Sequence, residues 1–177
     1  VIFRDGFKYT LHFEKGENIS GLVKEETVKK STGTDIKWKP DKEVFTDINI
    51  PSEYFKDILK KQAIVNAGLI FEYYDEEADE HETFVYENGI KDYINELNSG
   101  KGLTDSYYME TETKGRDRED KPEYKLKFEA AFCFNNEINS LQYFHNSSFL
   151  EHGGSPDKAV KNAFVYSIDK YIKAFLT

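Results

Sequence analysis

The fold is best predicted from the stretch Lys30 to Pro40, which reads Lys-Ser-Thr-Gly-Thr-Asp-Ile-Lys-Trp-Lys-Pro. A Thr-Gly-Thr turn leads directly into alternating residues, which predicts a β-strand with Thr34, Ile36 and Trp38 on one face. A hydroxyl followed by an aliphatic side chain suits the floor of a nucleotide pocket, where the hydroxyl holds an exocyclic amine and the aliphatic group covers the ring. The same pattern is also typical of a loop glycine followed by a cross-strand threonine.

Composition narrows the class of protein. The chain has 177 residues, 38% of them hydrophobic, enough for one large domain or two small ones with a real core. The net charge of −9 argues against a surface that holds DNA or anionic lipid through its overall field. Cys133 is the only cysteine, which excludes a disulfide framework and favours a reducing, cytoplasmic location. A start without methionine, inside a strand pattern, suggests an excised piece, although processing would give the same beginning.

The first half of the chain predicts strands followed by helices. Alternation from Phe7 to Phe13 after Asp5-Gly6 predicts a β-hairpin, and a second turn near Gly16 leads to a polar strand over residues 21–29. An amphipathic helix begins at Pro51-Ser52 and stops at Gly68. Strands are predicted over residues 69–74 and 83–86, with the acidic run between them as a solvated hairpin tip rather than a calcium loop. A short helix follows Gly89.

The second half follows a joint at residues 98–102 and predicts longer strands. These are expected over residues 107–113, 124–134 and 138–145, and the alternation from Tyr124 to Phe134 predicts one buried sheet face. Ser155 is a good N-cap, with Pro156 at the first position of a long helix. Three strands and one helix leave a face uncovered, so this domain looks unfinished. We therefore predict an α+β protein with domains at residues 1–98 and 99–177.

No complete catalytic constellation is visible in the sequence. The histidines His12, His81, His145 and His152 are scattered, and no two have metal-ligand spacing on one element. There is no P-loop and no dinucleotide fingerprint. Gly153-Gly154 before a helix could receive a phosphate, but such a pair is usually turn geometry. The residues alone therefore predict a two-domain α+β protein without an assigned function.

The order of several short motifs carries a resemblance to a known family. The chain resembles the last third of the ATPase domain of the B subunit of bacterial type IIA topoisomerases, a GHKL-type ATPase, and the start of the S5-like transducer domain that follows it. The motifs are Arg4-Asp5-Gly6, the stretch Thr32–Pro40, Phe45-Thr46-Asp47, Asn66-Ala67-Gly68, Tyr86–Ile90 and Phe144–Gly154. A mixed or antiparallel sheet with helices on one face is the fold that this resemblance implies.

The resemblance implies a role in DNA gyrase or topoisomerase IV, where ATP binding and dimerisation of ATPase domains are coupled to DNA strand passage. In the parent protein it implies ATP and Mg²⁺ as cofactors, and the A subunit, DNA and a second B subunit as partners. It assigns Thr34 to the adenine amino group, with Gly33 beside it, Ile36 to a pocket wall, and Arg4 to the pocket mouth used by coumarin-type inhibitors.

The resemblance also implies what this stretch lacks. The family's general-base glutamate, magnesium-binding asparagine, adenine-binding aspartate and glycine-rich lid lie upstream of Val1, and its phosphate-contacting transducer lysine lies downstream of Thr177. We expect weak or no ATP binding, no hydrolysis, and no catalytic or metal-binding residue within this stretch. Gly153-Gly154-Ser155-Pro156 departs from the family's Gly-Gly-Thr-His, and residues 146–152 differ from its common Asn-Asn-Ile-Pro form. Gyrase, topoisomerase IV and a divergent gyrase-B-like branch therefore remain open.

Two other interpretations remain. A chaperone or mismatch-repair protein of the same ATPase superfamily is disfavoured, because its Thr-Gly-Thr strand leads into different sequence. A free-standing acidic interaction module without nucleotide chemistry suits the composition and the lack of a complete site. It gives no reason for the order of the motifs.

Overall fold

The structure is a computed structural model that describes residues 1–176, and it divides into two compact units, Val1–Ile50 and Pro51–Thr177. It is a mixed α and β fold in which the named strand pairs are antiparallel and three helices are present among the described residues. No helix within residues 1–176 has the length and apolar character needed to cross a membrane. The predicted α+β class is confirmed. Thr177, the last residue of the predicted second domain, lies outside the described residues.

The first unit consists of short strands. They are β1 (Ile2–Arg4), β2 (Phe7–Thr10), β3 (Phe13–Glu14), β4 (Glu17–Asn18), β5 (Val23–Glu26) and β6 (Gly33–Thr34). Four of them form one sheet in the order β5-β2-β1-β6, and β3 pairs with β4. Asp5 and Gly6 have φ angles of 53° and 77°, as a two-residue primed turn requires, so the predicted hairpin is confirmed.

The predicted strand from Thr34 to Trp38 is wrong beyond its first residue. The antiparallel register pairs Thr34 with Ile2, and the backbones of Asp35 and Val1 exchange hydrogen bonds of 2.7 and 2.8 Å. Residues after Asp35 have no strand beside them, and an unpaired strand leaves its backbone groups without partners. The strand predicted from Phe7 to Phe13 is also interrupted between β2 and β3, where the His12 N–H donates to Ser20 Oγ at 2.9 Å and not to a neighbouring strand.

The second unit contains the helices. Its elements are α1 (Ser52–Val65), β7 (Phe71–Asp75), β8 (Glu80–Phe84), α2 (Ile90–Asn98), β9 (Tyr107–Gly115), β10 (Tyr124–Phe132), β11 (Phe144–His145), β12 (Ser148–Phe149) and α3 (Gly154–Phe175). Residues 76–79 of the acidic run form the tip of the β7–β8 hairpin, and the rest of the run lies in the two strands. Asp75 Oδ1 accepts hydrogen bonds from the N–H groups of Glu77 and Ala78. The solvated hairpin tip is therefore confirmed.

Two local predictions in this unit need correction. The strand predicted over residues 138–145 is reduced to Phe144–His145, because Asn135 Oδ1 turns the chain by accepting from the N–H groups of Glu137 and Ile138. Ser155 is not the N-cap, since α3 begins at Gly154 without a side-chain cap. Gly153 precedes it with φ 69°, and a Cβ there would lie 2.7 Å from Asp157 Cβ, so the glycine is required by turn geometry.

Apolar burial is concentrated in one place. Among residues 1–176, the buried hydrophobic side chains are Ala63, Ile64 and Phe84, on the last turns of α1 and the end of β8. The β9–β10 ribbon shares one apolar face as predicted, but that face is partly covered only near Phe132, whose ring meets Phe164 of α3 edge-on at 5.3 Å. Tyr124, Leu126 and Phe128 stay exposed, so the prediction of a wholly buried face is wrong.

Replacing Ile64 by alanine is expected to destabilise the second unit strongly. Its side chain is 2% exposed, so the substitution leaves a cavity and lowers the free energy of unfolding by about 2 to 4 kcal/mol. Denaturant unfolding followed by circular dichroism measures this. Ile58→Ala on the same helix is the matched control, and its 39% exposure predicts a loss of about 1 kcal/mol or less. Equal losses in the two variants would contradict this location of the core.

Candidate functional site

The predicted site residues lie in the first unit, and Thr34 is placed by the sheet register. β6 pairs with β1 so that Thr34 lies opposite Ile2, and Ile2 in turn lies opposite Tyr9 on β2. Residues directly opposite each other in a sheet point to the same face. Thr34, Ile2 and Tyr9 therefore form a row across one face, continued by Lys24 on β5.

Arg4 shares this face at the other end of β1. It is two residues from Ile2 on the same strand, so both side chains leave the same side of the sheet. Arg4 Nε lies 3.6 Å from Asp5 Oδ2, and both side chains are largely exposed. A pair of this kind contributes little to stability, so the guanidinium is available to a ligand.

The other two predicted residues are not brought to this face. Gly33 precedes Thr34 by one residue, so it lies on the opposite side of β6, where it pairs with Phe3. A Cβ on Gly33 would meet nothing within 4 Å, so no close approach explains the glycine. Ile36 follows the strand and is 80% exposed, so it is not part of the row that Thr34 forms with Ile2 and Tyr9.

The sheet adds aromatic and cationic groups that the sequence did not single out. Lys24 Nζ lies 3.8 Å from the centroid of the Phe7 ring and 5.7 Å from that of Tyr9, which is close enough for cation–π attraction. The Asp5-Gly6 turn could have predicted part of this arrangement. A two-residue turn pairs Arg4 with Phe7, and hence Ile2 with Tyr9, so these side chains share a face. The face combines a hydroxyl, two aromatic rings and two cations.

This face fits one end of a nucleotide better than the other. The Thr34 hydroxyl can accept a hydrogen bond from an exocyclic amine, and ring faces can cover a base. Residues 1–50 contain no helix whose N-terminus would receive phosphates. Within residues 1–176 no group of three or more His, Cys, Asp or Glu side chains is arranged to hold a metal ion. The described residues therefore offer one wall for a base.

A separate polar cluster in the second unit joins α1 to α2. Tyr86 OH donates to Glu96 Oε2 at 2.7 Å, and Lys60 Nζ donates to Glu96 Oε1 at 3.0 Å. Burial and the hydrogen bond to Glu96 raise the pKa of Tyr86 to about 12. Burial acts to raise the pKa of Glu96, but the hydrogen bonds from Tyr86 and Lys60 outweigh it and lower that pKa. Because the cluster satisfies itself, its role is structural.

An open depression of about 550 Å³ also belongs to the second unit. It is lined by Asn98, Gly100, Gly102, Leu103, Thr104, Asp105 and Tyr107. These residues surround the predicted joint, which Asn98 holds by donating from Nδ2 to Thr104 O at 3.1 Å. None of the predicted site residues lines it.

Known proteins match the chain over nearly its whole length. A family model described as DNA gyrase B matches residues 89–175. The topoisomerase IV B subunit of Bacillus subtilis is 30% identical over 176 residues, which cover 98% of this chain and 25% of that protein. The DNA gyrase B subunit of Spiroplasma citri is 31% identical over 177 residues, with 94% and 26% covered. The chain belongs to the gyrase B and topoisomerase IV B family.

Solved structures of the family support the fold. The 43K ATPase domain of Thermus thermophilus gyrase B, in complex with an aminocoumarin, matches 99% of this chain and 47% of that chain with a TM-score of 0.70 at 23% identity. The ATP-binding domain of Francisella tularensis topoisomerase IV, with a small-molecule inhibitor, matches 64% and 34% with a TM-score of 0.50 at 29% identity. This gyrase B relative spans about a quarter of the length of the curated proteins that it matches.

The pH dependence of stability tests the Tyr86 cluster. The raised pKa of Tyr86 favours the neutral phenol in the folded state, so its contribution is present below pH 10 and is lost as pH rises towards 12. The lowered pKa of Glu96 gives a contribution present above pH 4.5 and lost as pH falls through the folded value. Tyr86→Phe is expected to cost about 1 kcal/mol at pH 7.

Urea unfolding of both proteins across this pH range measures the difference. The gap between wild type and Tyr86→Phe should narrow at both extremes. Tyr54→Phe, on an exposed part of α1, is the control and should track the wild type at every pH. A gap that is constant from acid to alkaline pH would overturn the role given to the cluster.

Proposed function

We propose that the chain acts as part of the ATP-hydrolysing B subunit of a type IIA DNA topoisomerase. The observation that carries this is the match to named B subunits over 98% and 94% of the chain. In that role, ATP binding and closure of a B-subunit dimer are coupled to passage of one DNA duplex through another. The similar identities to a topoisomerase IV protein and a gyrase protein, 30% and 31%, leave the choice between these enzymes open.

Within such a protein, this segment would supply one wall of the adenine site and the first part of the transducer. The Thr34 hydroxyl is suited to the adenine amine, and the exposed Arg4 guanidinium lies on the same face. ATP and Mg²⁺ would be the cofactors of the complete protein, and its partners would be the A subunit, DNA and a second B subunit. A cytoplasmic location is part of the same proposal. The segment by itself would bind ATP weakly or not at all and would hydrolyse none.

The exposed apolar faces of the second unit support a role inside a larger domain. α3 contacts its own unit through a stripe on its first half that includes Val160 and Phe164. Beyond Phe164, the side chains of Val165, Ile168, Ile172 and Phe175 follow i, i+3, i+7 and i+10 spacing and are at least half exposed. The Thermus ATPase domain has about twice the extent of this chain, and the rest of such a fold is the natural cover for this face.

Thr34 is tested in the complete B-subunit polypeptide. Thr34→Ala removes one hydrogen bond to the adenine amine, which predicts a nucleotide affinity about 3- to 10-fold weaker and a lower DNA-stimulated ATPase rate. Isothermal titration with a non-hydrolysable ATP analogue measures the affinity. Thr83→Ala, an exposed threonine of β8, is the control and should leave both quantities unchanged. Unchanged affinity in Thr34→Ala would remove Thr34 from the site.

Exposure of α3 is tested in the 177-residue protein. Ile168→Gln together with Ile172→Gln should lower the fluorescence of bound anilinonaphthalene sulfonate and reduce self-association in sedimentation velocity, because an exposed apolar stripe binds both dye and other molecules. Ser167→Gln together with Lys170→Gln changes the same helix outside the stripe and should alter neither. Equal dye binding in both double variants would show that the exposed apolar stripe is not the surface that binds the dye.

A further inference from the structure

The β11–β12 hairpin is held together by its own contacts. Its strands pair Phe144 with Phe149, and their rings meet edge-on at 5.4 Å. The N–H of Leu150 donates to Tyr143 O at 2.8 Å and closes the base of the hairpin. Asn146 takes the left-handed conformation that the tight turn needs, with φ 53°. The hairpin therefore does not need α1 to keep its shape.

The tip of this hairpin docks on the last turn of α1. Gln62 Nε2 donates to the backbone O of Ser147 at 2.8 Å. Ser147 Oγ donates to Asn66 Oδ1 at 3.2 Å. Lys61 Nζ lies 4.2 Å from the centroid of the Phe149 ring. The hairpin residues Ser147 and Phe149 are thus contacted from α1 by Lys61, Gln62 and the C-cap residue Asn66.

Asn66 is prepared for this contact by the end of the helix. Its Nδ2 donates to Gln62 O at 2.8 Å, and its backbone N–H donates to the same carbonyl at 3.1 Å. These bonds fix the amide plane and leave Oδ1 pointing away from the helix as an acceptor for Ser147. A second tie is made nearby, where Gln142 Nε2 donates to Tyr93 OH of α2 at 3.0 Å.

The chemistry of the docking contacts allows them to be reversed. The hydrogen bonds through Gln62 and Ser147 join groups at the surface, where water can take over either side of each bond. Gly153, with φ 69°, lies between the hairpin and α3, which begins at Gly154. A self-supporting hairpin that is docked through polar contacts has the properties expected of an element that can detach and stay folded.

We propose that the β11–β12 hairpin is a latch that docks on α1 through Gln62, Asn66 and Ser147 and detaches without unfolding. Docking fixes residues 142–154, and through them the start of α3, against α1 and α2. Detachment frees that segment while the α1 core stays folded. In the proposed function, the latch would join the ATPase part to the transducer part only while it is docked, and this consequence rests on that function. The docking equilibrium itself does not.

Relaxation dispersion on the ¹⁵N-labelled 177-residue protein tests the latch. Exchange between two states should appear at residues 62–66 and 144–150, and Ser147→Ala should raise the detached population by about 2- to 10-fold, the effect of one hydrogen bond. Ser148→Ala, the neighbouring serine on β12, is the matched control and should leave the population unchanged. In a double-mutant cycle, Asn66→Ala should add little to the detached population of Ser147→Ala, because both remove the hydrogen bond between the hairpin and Asn66. The other bond of the Asn66 side chain, to Gln62 O, lies within the end of α1 and does not join the hairpin to it.

Hydrogen exchange at Leu150 separates detachment from melting. Because the Leu150 N–H is bonded within the hairpin, it should stay protected in Ser147→Ala. Loss of its protection in that variant would show that the hairpin unfolds instead of detaching. Absence of dispersion in the wild type, or full additivity of the two alanine substitutions, would also overturn the latch. None of these outcomes depends on nucleotide or DNA, so a failure here leaves the proposed function standing.

Discussion

The second unit depends on the packing of the last turns of α1 against the β7–β8 hairpin. Ala63, Ile64 and Phe84 are the hydrophobic side chains that are buried there. Ionic and hydrogen-bonded contacts then orient the hairpin: Ser52 Oγ donates to Asp75 Oδ2 at 2.8 Å, at the opposite end of α1. Because α1 is held at one end by apolar burial and at the other by a polar contact, its orientation against the β7–β8 hairpin is fixed. It therefore offers α2 and the β11–β12 hairpin a fixed surface to pack against.

The two units differ in net charge. Residues 1–50 carry nine basic and nine acidic side chains, so the whole net charge of −9 belongs to residues 51–177. Lys56 compensates part of this negative charge, because its Nζ lies within 3.5 Å of the carboxylates of Glu53, Glu80 and Glu82. The hydrogen bond to Glu80, with the nearby charges of all three, outweighs burial and raises the pKa of Lys56. The acidic hairpin can therefore lie against α1 without repelling it.

Local chemistry explains which elements were predictable. The Asp5-Gly6 turn and the helix from Ser52 to Val65 depend on neighbouring residues, so the sequence predicts both. The pairing of Thr34 with Ile2 joins segments 32 residues apart, and alternation alone could not tell that it ends at Asp35. For this reason the sequence placed Thr34 on the same face as Ile36, whereas the structure places it with Ile2 and Tyr9. The exposure of Tyr124 and Leu126 could not be predicted from the sequence either, because alternation predicts which residues share a face and not what covers that face.

The distribution of polar and apolar contacts bears on how the segment could transmit a change. Residues 51–98 and 99–176 were assigned to different domains from the sequence, and that boundary stays a prediction; in the structure both belong to one compact unit. The hydrogen bonds between them include those of Gln62, Asn66 and Tyr93 on one side with Gln142 and Ser147 on the other. An apolar interface of the same size would lose its burial on separation, whereas polar groups regain hydrogen bonds to water. A polar junction can therefore be strong enough to hold one position and still open at a modest cost in free energy.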